Sequence, residues 1–456
     1  MVSPLHHVVW FRRDLRIANN PTWSAASQQA DEVTALFVLD PALFDRAGPF
    51  RQAALVAHLT ALDEELRARG GRLRIEHGNP TKVVAQTAQE LGAAAVHWNT
   101  DTTPYAARRD AAVADALSSN IHTHWGTLVH EPGRVLTGKG TLSKVFTPFW
   151  KVWDRTEMSP WVTGEGTASI AAEVGSPLPD IAGVDAMAGG EAAARERLHD
   201  FMTRADDYLD TRDLPAVNGT SRLSADLRFG TLSPREIADV AGETTAGRSG
   251  FVRQLAWRDW YAHLLGQHPT MPTSAIKPAY NNIAWRNDSD EFEAWKHGQT
   301  GYPIVDAGMR QLLNTGWMHN RARMIVGSFL VKDLLVDWRM GERWFRHLLV
   351  DADMSQNVGN WQWVAGCGTD AAPYFRVFNP WLQSKKFDKD GEYIRQWVPE
   401  LASLSAKHIH EPAAVAPLDL AAAGVTLGDT YPYPIVDHAA ARDRALETFK
   451  AALNSD

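Results

Sequence analysis

The stretch Asp351-Ala352-Asp353-Met354-Ser355-Gln356-Asn357-Val358-Gly359-Asn360-Trp361-Gln362-Trp363 concentrates groups that can do chemistry. Two carboxylates and several amides precede a tryptophan pair, and as plain core these polar groups would each need a buried partner. A helix beginning near Asn357 places Asn357 and Trp361 on one face and turns Trp363 about 200° away from Trp361. One indole then faces a bound planar group and the other a cleft; alternatively both anchor a core. A second helical pattern, from Met318, puts Asn320, Arg323, Met324 and Gly327 on one face. A planar ligand lying on the gap at Gly327 fits this pattern. So does close helix packing there, with Arg323 paired to a carboxylate. In Gly219-Thr220-Ser221-Arg222-Leu223-Ser224, hydroxyls and a glycine precede an apolar stretch. They either hold a phosphate or cap a helix.

These residues need a scaffold, and the apolar periodicity predicts two kinds. Short apolar runs at His7–Trp10, Val33–Leu39, Leu73–Glu76, Ala94–Trp98 and Ile121–Trp125 read as strands. Helical spacing at Arg51–Arg69, Thr81–Leu91 and Tyr105–Leu117 fills the gaps between them. The alternation predicts a doubly wound, five-stranded parallel α/β domain over residues 1–130, with its ligand at the strands' carboxyl ends. Phe11-Arg12-Arg13-Asp14-Leu15-Arg16 follows the first strand in place of G-x-G-x-x-G, so the dinucleotide fingerprint is missing. Residues 131–190, rich in Gly, Pro, Thr and Ala, read as a long interdomain linker with some local structure. Beyond them the patterns Gly250–Leu265, Ile304–Leu313 and Met318–Trp338 predict an all-helical domain over 191–456. It closes with a helix at Ala439–Leu453, and no internal repeat is present.

Composition narrows the function classes. With 456 residues, 45% hydrophobic and 22% charged, the chain has mass for two packed cores. No window approaches the roughly 18 apolar residues of a membrane span, and the N-terminus lacks the layout of a secretion signal. A cytoplasmic protein without membrane attachment is expected. The single cysteine, Cys367, rules out an internal disulfide and any thiolate metal cluster, so no metal is expected. The net charge of −8 opposes wholesale nucleic-acid affinity, yet residues 195–410 balance 26 Lys+Arg against 26 Asp+Glu. The second half is therefore the better candidate for DNA. Eighteen tryptophans are many for this length, and most belong to cores.

Four motifs then carry a resemblance that runs nearly end to end. They are Trp10-Phe11-Arg12-Arg13-Asp14-Leu15-Arg16, Gly301-Tyr302-Pro303-Ile304-Val305-Asp306, Thr315-Gly316-Trp317-Met318-His319-Asn320-Arg321, and Trp361-Gln362-Trp363 leading into Tyr374-Phe375-Arg376-Val377-Phe378-Asn379-Pro380. The chain resembles the class I cyclobutane pyrimidine dimer photolyases of the photolyase and cryptochrome family. That resemblance implies FAD in the helical domain, held by Tyr208, Thr220, Ser221, Leu223, Ser224, Trp257, Asn320, Arg323, Asp351 and Asp353, with Asn357 facing flavin N5. It implies repair by an electron passed from light-excited reduced FAD to the dimer, without a side-chain nucleophile. Trp361, Trp338 and Trp285 would relay electrons that restore the reduced cofactor. Trp257, Met324 and Trp363 would receive the flipped-out dimer, and Arg212 and Gln383 would contact DNA.

The first domain is similar to those that hold a light-harvesting antenna. Trp98-Asn99-Thr100-Asp101 followed by Pro104-Tyr105 resembles the 8-hydroxy-5-deazaflavin type, with Phe37, Asp40, Arg51 and Asp101 as its pocket. Methenyltetrahydrofolate, or no antenna, is the alternative, and Thr103 stands where a carboxylate is expected. Gln254, in Arg253-Gln254-Leu255-Ala256-Trp257-Arg258-Asp259, replaces the usual Glu that hydrogen-bonds the dimer's carbonyls. Gln keeps a donor but delivers no proton, which bears on substrate choice. A (6-4) photolyase is expected to show two histidines near the lesion; His319 is present, but Arg323 and Met324 stand where the second is sought. A blue-light receptor is expected to carry a C-terminal extension and another residue at the Asn357 position. An ordinary flavin oxidoreductase predicts no affinity for damaged DNA. Damaged DNA is the expected partner of a monomer with no obligate protein partner.

Overall fold

The computed structural model describes residues Pro4–Asn454. Strands β1 (His6–Phe11), β2 (Glu32–Leu39), β3 (Leu73–His77), β4 (Ala95–Asn99) and β5 (Asn120–His124) form a parallel sheet in the order β3-β2-β1-β4-β5. The reversal of direction falls between β1 and β4, the crevice where open α/β sheets take ligands. The two faces of the sheet bury alternate residues. Val9, Phe11, Ala35 and Phe37 pack with Leu59, Leu62 and Leu66, and Val8, Trp10, Leu36 and Val38 pack with Val84, Val96, Trp98 and Val113. Over β1, β2 and β4 both faces are covered, so these strands read as largely apolar runs, whereas the edge strand β5 is exposed.

Helices Pro49–Ala68, Pro80–Glu90 and Pro104–Ala116 stand where the periodicity predicts them, each with Pro in its first turn. Residues 131–190 supply more than a passage. Phe146–Trp153 is a helix, and a two-residue strand, β6 (Ser169–Ile170), pairs with β2 at Glu32 and Val33.

By internal packing the residues form two units. The first holds the chain up to Asp206, Ser221–Pro269 and Val350–Ser355; the second holds Asp207–Thr220, Thr270–Leu349 and onward from Gln356. These cuts do not fall at residues 130 and 190. In the first unit Asp259, fully buried, accepts from Val129 N at 3.3 Å, His130 N at 2.9 Å and Trp153 Nε1 at 2.9 Å. One carboxylate thereby fastens the end of the sheet domain and the following stretch to helix Ala246–Gln267.

The second unit is helical. Helices Pro303–Thr315 and Met354–Ala365 lie near their expected places, though the latter starts three residues before Asn357. The pattern Met318–Trp338 is corrected. It divides into an α-helix at Asn320–Ser328, a π-helical turn at Phe329–Asp333 and a break, and a new helix starts at Trp338. The break has two local causes. Leu335 takes a left-handed φ of 54°, and the Asp337 carboxylate caps Arg339 N at 2.9 Å. Apolar periodicity continues across both and so conceals them.

Four histidines share one face of the sheet. His97 Nε2 lies 3.0 Å from His7 Nδ1, and the His97 ring stacks 4.7 Å from His122 and 5.8 Å from His124. Burial, then the neighbouring histidines, lower the His97 pKa from 6.5 to about 3. The unfolded chain therefore binds more protons between these values. The stability that neutral His97 contributes is complete above pH 6.5 and is lost as pH falls toward 3. This group should cost about 2 kcal/mol on going from about pH 8 to about pH 5. Urea unfolding at both pH values should show that loss, reduced in His97→Gln; an equal loss in the variant contradicts the assignment.

Candidate functional site

In the first unit the site grows from the end of β1. Arg12 donates to Asp110 at 2.5 Å and to the carbonyl of Asn99, and lies 4.7 Å from the Trp10 ring centroid. Arg13 bonds Asp101 at 3.1 Å and Asp353, a residue 340 positions away. Asp353 also accepts from the backbone N–H and hydroxyl of Ser355 at 3.0 and 2.6 Å. Burial alone would raise its pKa, but Arg13, then Arg258, Ser355 and Arg228, outweigh burial and hold it far below the usual carboxylate range. Asp101 is lowered in the same way, burial being opposed chiefly by Arg13. Arg228 donates to Ala352 O at 2.8 Å, and burial and then Arg13 lower its pKa to about 9. The Ser224 hydroxyl donates to Asp351 at 2.6 Å. The segment 350–355 is thus held at Asp351, Ala352 and Asp353 by residues far away in sequence.

Trp257 is half-buried and stacks on Phe146, with centroids 3.6 Å apart and planes at 13°. Gln254, four residues before the next turn's Arg258, donates its amide to Gly250 O at 2.9 Å on its own helix. Of the residues expected to form an antenna pocket, Asp40 accepts from the Tyr105 hydroxyl and from Ala42 N at 3.0 Å. Burial and then Asp40 raise Tyr105 to about 12. Phe37 lies in the core, Arg51 is half-buried, and Asp101 is engaged by Arg13. Thr103 caps Ala106 N at 3.3 Å, a helix-start role that a hydroxyl fills in place of the carboxylate expected there.

In the second unit, Asn357 donates Nδ2 to Glu342 Oε1 at 2.9 Å and Glu342 O at 3.1 Å. That leaves its Oδ1 as the atom it offers. Buried Glu342 also takes Arg346 at 3.2 Å. Trp361 is buried and Trp363 half-buried, so the opposed faces expected for this pair are present. The gap at Gly327 is filled by Trp361, whose ring carbons lie 3.7–3.8 Å from where a Cβ would stand. Trp361 and Val364 line that position at ordinary contact distance, so the gap faces packed side chains of a neighbouring helix. Asn320 is exposed with Nδ2 3.7 Å from Met324 Sδ, and Arg323 donates to Met318 O at 2.8 Å.

The three tryptophans expected to form a relay lie in the second unit, Trp361 and Trp338 buried and Trp285 half-buried. The edge-to-face contacts of Trp361 are with Phe345 at 5.0 Å and Trp295 at 6.3 Å, and Trp285 meets Phe449 at 5.9 Å. Tyr208 is buried under Arg212, 5.7 Å from its ring centroid. Leu223 is buried, while Thr220, Ser221 and Gln383 are partly exposed. His319 accepts from Arg321 N at 3.1 Å as the cap of its helix.

Sequence reasoning missed Glu342, Phe146, Trp295 and Phe345. For Glu342 the i,i+4 spacing to Arg346 was a usable signal; the aromatic partners had none, since ring stacking between distant segments leaves no spacing. Among the described residues no group of three or more His, Cys, Asp or Glu is arranged to hold a metal ion, and no helix is long and apolar enough to cross a membrane.

Comparison with known proteins shows the class of flavoprotein to which this fold belongs. Residues 7–165 match the family description DNA photolyase, and residues 251–451 match FAD binding domain of DNA photolyase. The chain belongs to the DNA photolyase family. It is 44% identical over 454 residues to the deoxyribodipyrimidine photo-lyase of Streptomyces griseus, covering 96% of this chain and 97% of that one. Its fold matches a class III photolyase from Agrobacterium tumefaciens with a TM-score of 0.92 at 38% identity, covering 99% and 98% of the two chains. It matches a Synechocystis cryptochrome with a TM-score of 0.90 at 30% identity, covering 98% and 99%.

Gly341 is a sensitive point of the Trp361 environment. A Cβ there would stand 2.3 Å from the Trp361 ring and 2.5 Å from Leu330 Cδ2. Gly341→Ala should therefore displace the indole and destabilise the protein by about 1–3 kcal/mol. Thermal melts and Trp361 fluorescence check this, and an unchanged emission spectrum would count against the displacement.

Proposed function

We infer that this chain is a deoxyribodipyrimidine photo-lyase, which uses light to split cyclobutane pyrimidine dimers in DNA. The observation that carries the reading is the Asp351–Trp363 segment in a chain related end to end to enzymes of that name. There a carboxylate is kept ionised in the interior, an amide is fixed by Glu342, and two tryptophans have different exposure.

The donor set fits FAD. Asp351 and Asp353 are acceptors for sugar hydroxyls or ring N–H groups, the Ser224 hydroxyl sits against Asp351, and Asn357 offers a carbonyl oxygen. The residues assigned to FAD by resemblance would hold it, from Tyr208 through Asn357. When bound, FAD supplies the light-excited electron donor, so the protein needs no nucleophile. Glu342 fixes which atom of Asn357 meets the ring. By the resemblance, Trp257, backed by Phe146 in the first unit, and Met324 and Trp363 in the second, each half-buried, would receive an unstacked base. Gln254 keeps an amide where a carboxylate is usual, so it would hydrogen-bond the dimer's carbonyls without delivering a proton.

Several finer readings belong to the proposal. An antenna of the 8-hydroxy-5-deazaflavin type at Asp40, Arg51 and Asp101 is supported by their place at the carboxyl ends of β2 and β4 and in the helix that follows β2. Action as a cytoplasmic monomer, with Arg212 and Gln383 on DNA, follows the resemblance. The (6-4) reading has less support because Arg323 and Met324 stand where its second histidine is sought.

Oligonucleotides bearing a cyclobutane dimer or a (6-4) product, illuminated with blue light in the presence of the purified protein and resolved by chromatography, test the reading. The dimer should be reversed and the (6-4) product left intact. Reversal of neither lesion while the flavin is photoreduced would overturn it. For the relay, Trp361→Phe should abolish flavin photoreduction yet spare repair once the flavin is chemically reduced; loss of both removes Trp361 from that role.

A further inference from the structure

Lys332 sits on the π-helical turn Phe329–Asp333 and is 1% exposed. Its Nζ donates to Ala365 O and to Tyr374 O, each at 3.3 Å, and lies 3.4 Å from the Phe449 ring centroid. The two carbonyls bracket a loop. Ala365 is the last residue of the helix that carries Trp361 and Trp363. Tyr374 immediately precedes Phe375, 64% exposed, and the exposed Arg376.

The surroundings of this ammonium contain no carboxylate among its hydrogen-bond partners. From the loop, Cys367 faces it as a neutral thiol, pushed up to about 12 by burial. Lys277 donates to the neighbouring Gly366 O at 3.5 Å, and Tyr280 and Tyr374 are also nearby aromatic residues with hydroxyls. Arg339 acts on Cys367. Asp333, next in the chain, is bound to His438 at 2.5 Å, and Arg444 of the last helix donates to Asp333 O at 2.6 Å. Burial pulls Lys332 down to about 7. An ammonium that meets only carbonyls and a ring is a burden on the fold, and an apolar side chain of the same length would fill the space more cheaply. Ammonium groups do suit the carbonyl end of a helix, and π-helical turns recur at functional sites.

We propose that Lys332 is a positioning residue whose ammonium clasps the loop Gly366–Arg376 at both ends and so holds Phe375 and Arg376 in the arrangement that meets damaged DNA. An exposed aromatic beside an exposed guanidinium is the pairing that single-stranded or distorted nucleic acid takes up. The proposal rests on the reading that the chain binds dimer-bearing DNA. The clasp is tightest below neutral pH, where the group is charged, and loosens as the proton leaves, because charge-assisted hydrogen bonds are the stronger ones.

Flavin-loaded wild-type protein, Lys332→Met and Lys332→Arg are compared in two measurements at about pH 6 and about pH 8.5. The first is tryptic nicking after Arg376 without DNA, normalised to a peptide standard. The second is the pair of dissociation constants for a dimer-bearing oligonucleotide and its undamaged counterpart at fixed salt. Wild type should be nicked faster and bind more weakly at the higher pH. Lys332→Met should show nicking faster and binding weaker by on the order of 10-fold at low pH, with the pH dependence gone. Its melting temperature should be no lower than wild type and its flavin content the same. Lys332→Arg should restore low-pH binding and remain insensitive to pH.

Nicking and binding of Lys332→Met that match wild type overturn the clasp. So does a melting temperature that falls in step with binding, since that marks general structural support. If wild type shows no preference for the dimer-bearing oligonucleotide while nicking behaves as expected, the DNA reading fails and the clasp of the loop stands.

Discussion

A carboxylate kept ionised inside a protein has to be surrounded by donors, and much of the first packing unit is arranged around that requirement at Asp353. Arg13 reaches it from the end of β1, 340 residues away in sequence, while Ser355 supplies two local donors. Arg258 and Arg228 add their fields. Because Arg13 also holds Asp101, which follows β4, a single guanidinium fixes residues 350–355 with respect to the sheet's ligand-side edge. Buried ion pairs of this kind are weak devices for stability but strong ones for geometry, since removing one partner strands the other. The Arg-rich run after β1 takes the place of a glycine-rich phosphate loop; its Arg12 and Arg13 engage carboxylates of the chain itself, and Arg16 donates to backbone carbonyls.

The same economy of orientation governs the second unit. Asn357 could present either end of its amide; Glu342 takes the nitrogen and leaves the oxygen. Trp361 could occupy several rotamers, but Phe345 and Trp295 meet it edge-to-face and Gly341 leaves no more room than the ring uses. These constraints act on the side of the helix opposite Trp363, which stays half-exposed. One helix therefore carries a fixed polar contact, a packed aromatic and an accessible aromatic, each at the rotation its position dictates.

Polar groups in the interior divide into those that tie distant segments together and those that are retained at a cost. Asp259, with three donors from the stretch before and within helix Phe146–Trp153, belongs to the first kind. His7, His97 and His124 in the sheet, and Lys332 on its π-helical turn, belong to the second, since burial disfavours their charged forms. Lys332 differs from the histidines in that its hydrogen bonds go to the two ends of one loop.

The strands, the covering helices and the helical second half were legible from the sequence, because burial on both sheet faces or on one helix stripe imposes a repeat that survives in one dimension. The opposition of Trp361 and Trp363 was legible for the same reason, being a matter of rotation along a helix. What periodicity could not register was a change of backbone state within an unbroken apolar pattern. The single expected helix Met318–Trp338 became a helix, a π-turn and a restart at an Asp337 cap. Nor could it pair groups that meet only after folding. Arg13 with Asp353, Phe146 with Trp257 and Glu342 with Asn357 depend on where segments far apart in the chain come to rest. The sequence by itself determined which chemical groups are available and which helical face each occupies. The tertiary structure alone decided their partners, and with them which carboxylate stays charged and which amide atom is offered, because those choices are set by three-dimensional distance and burial.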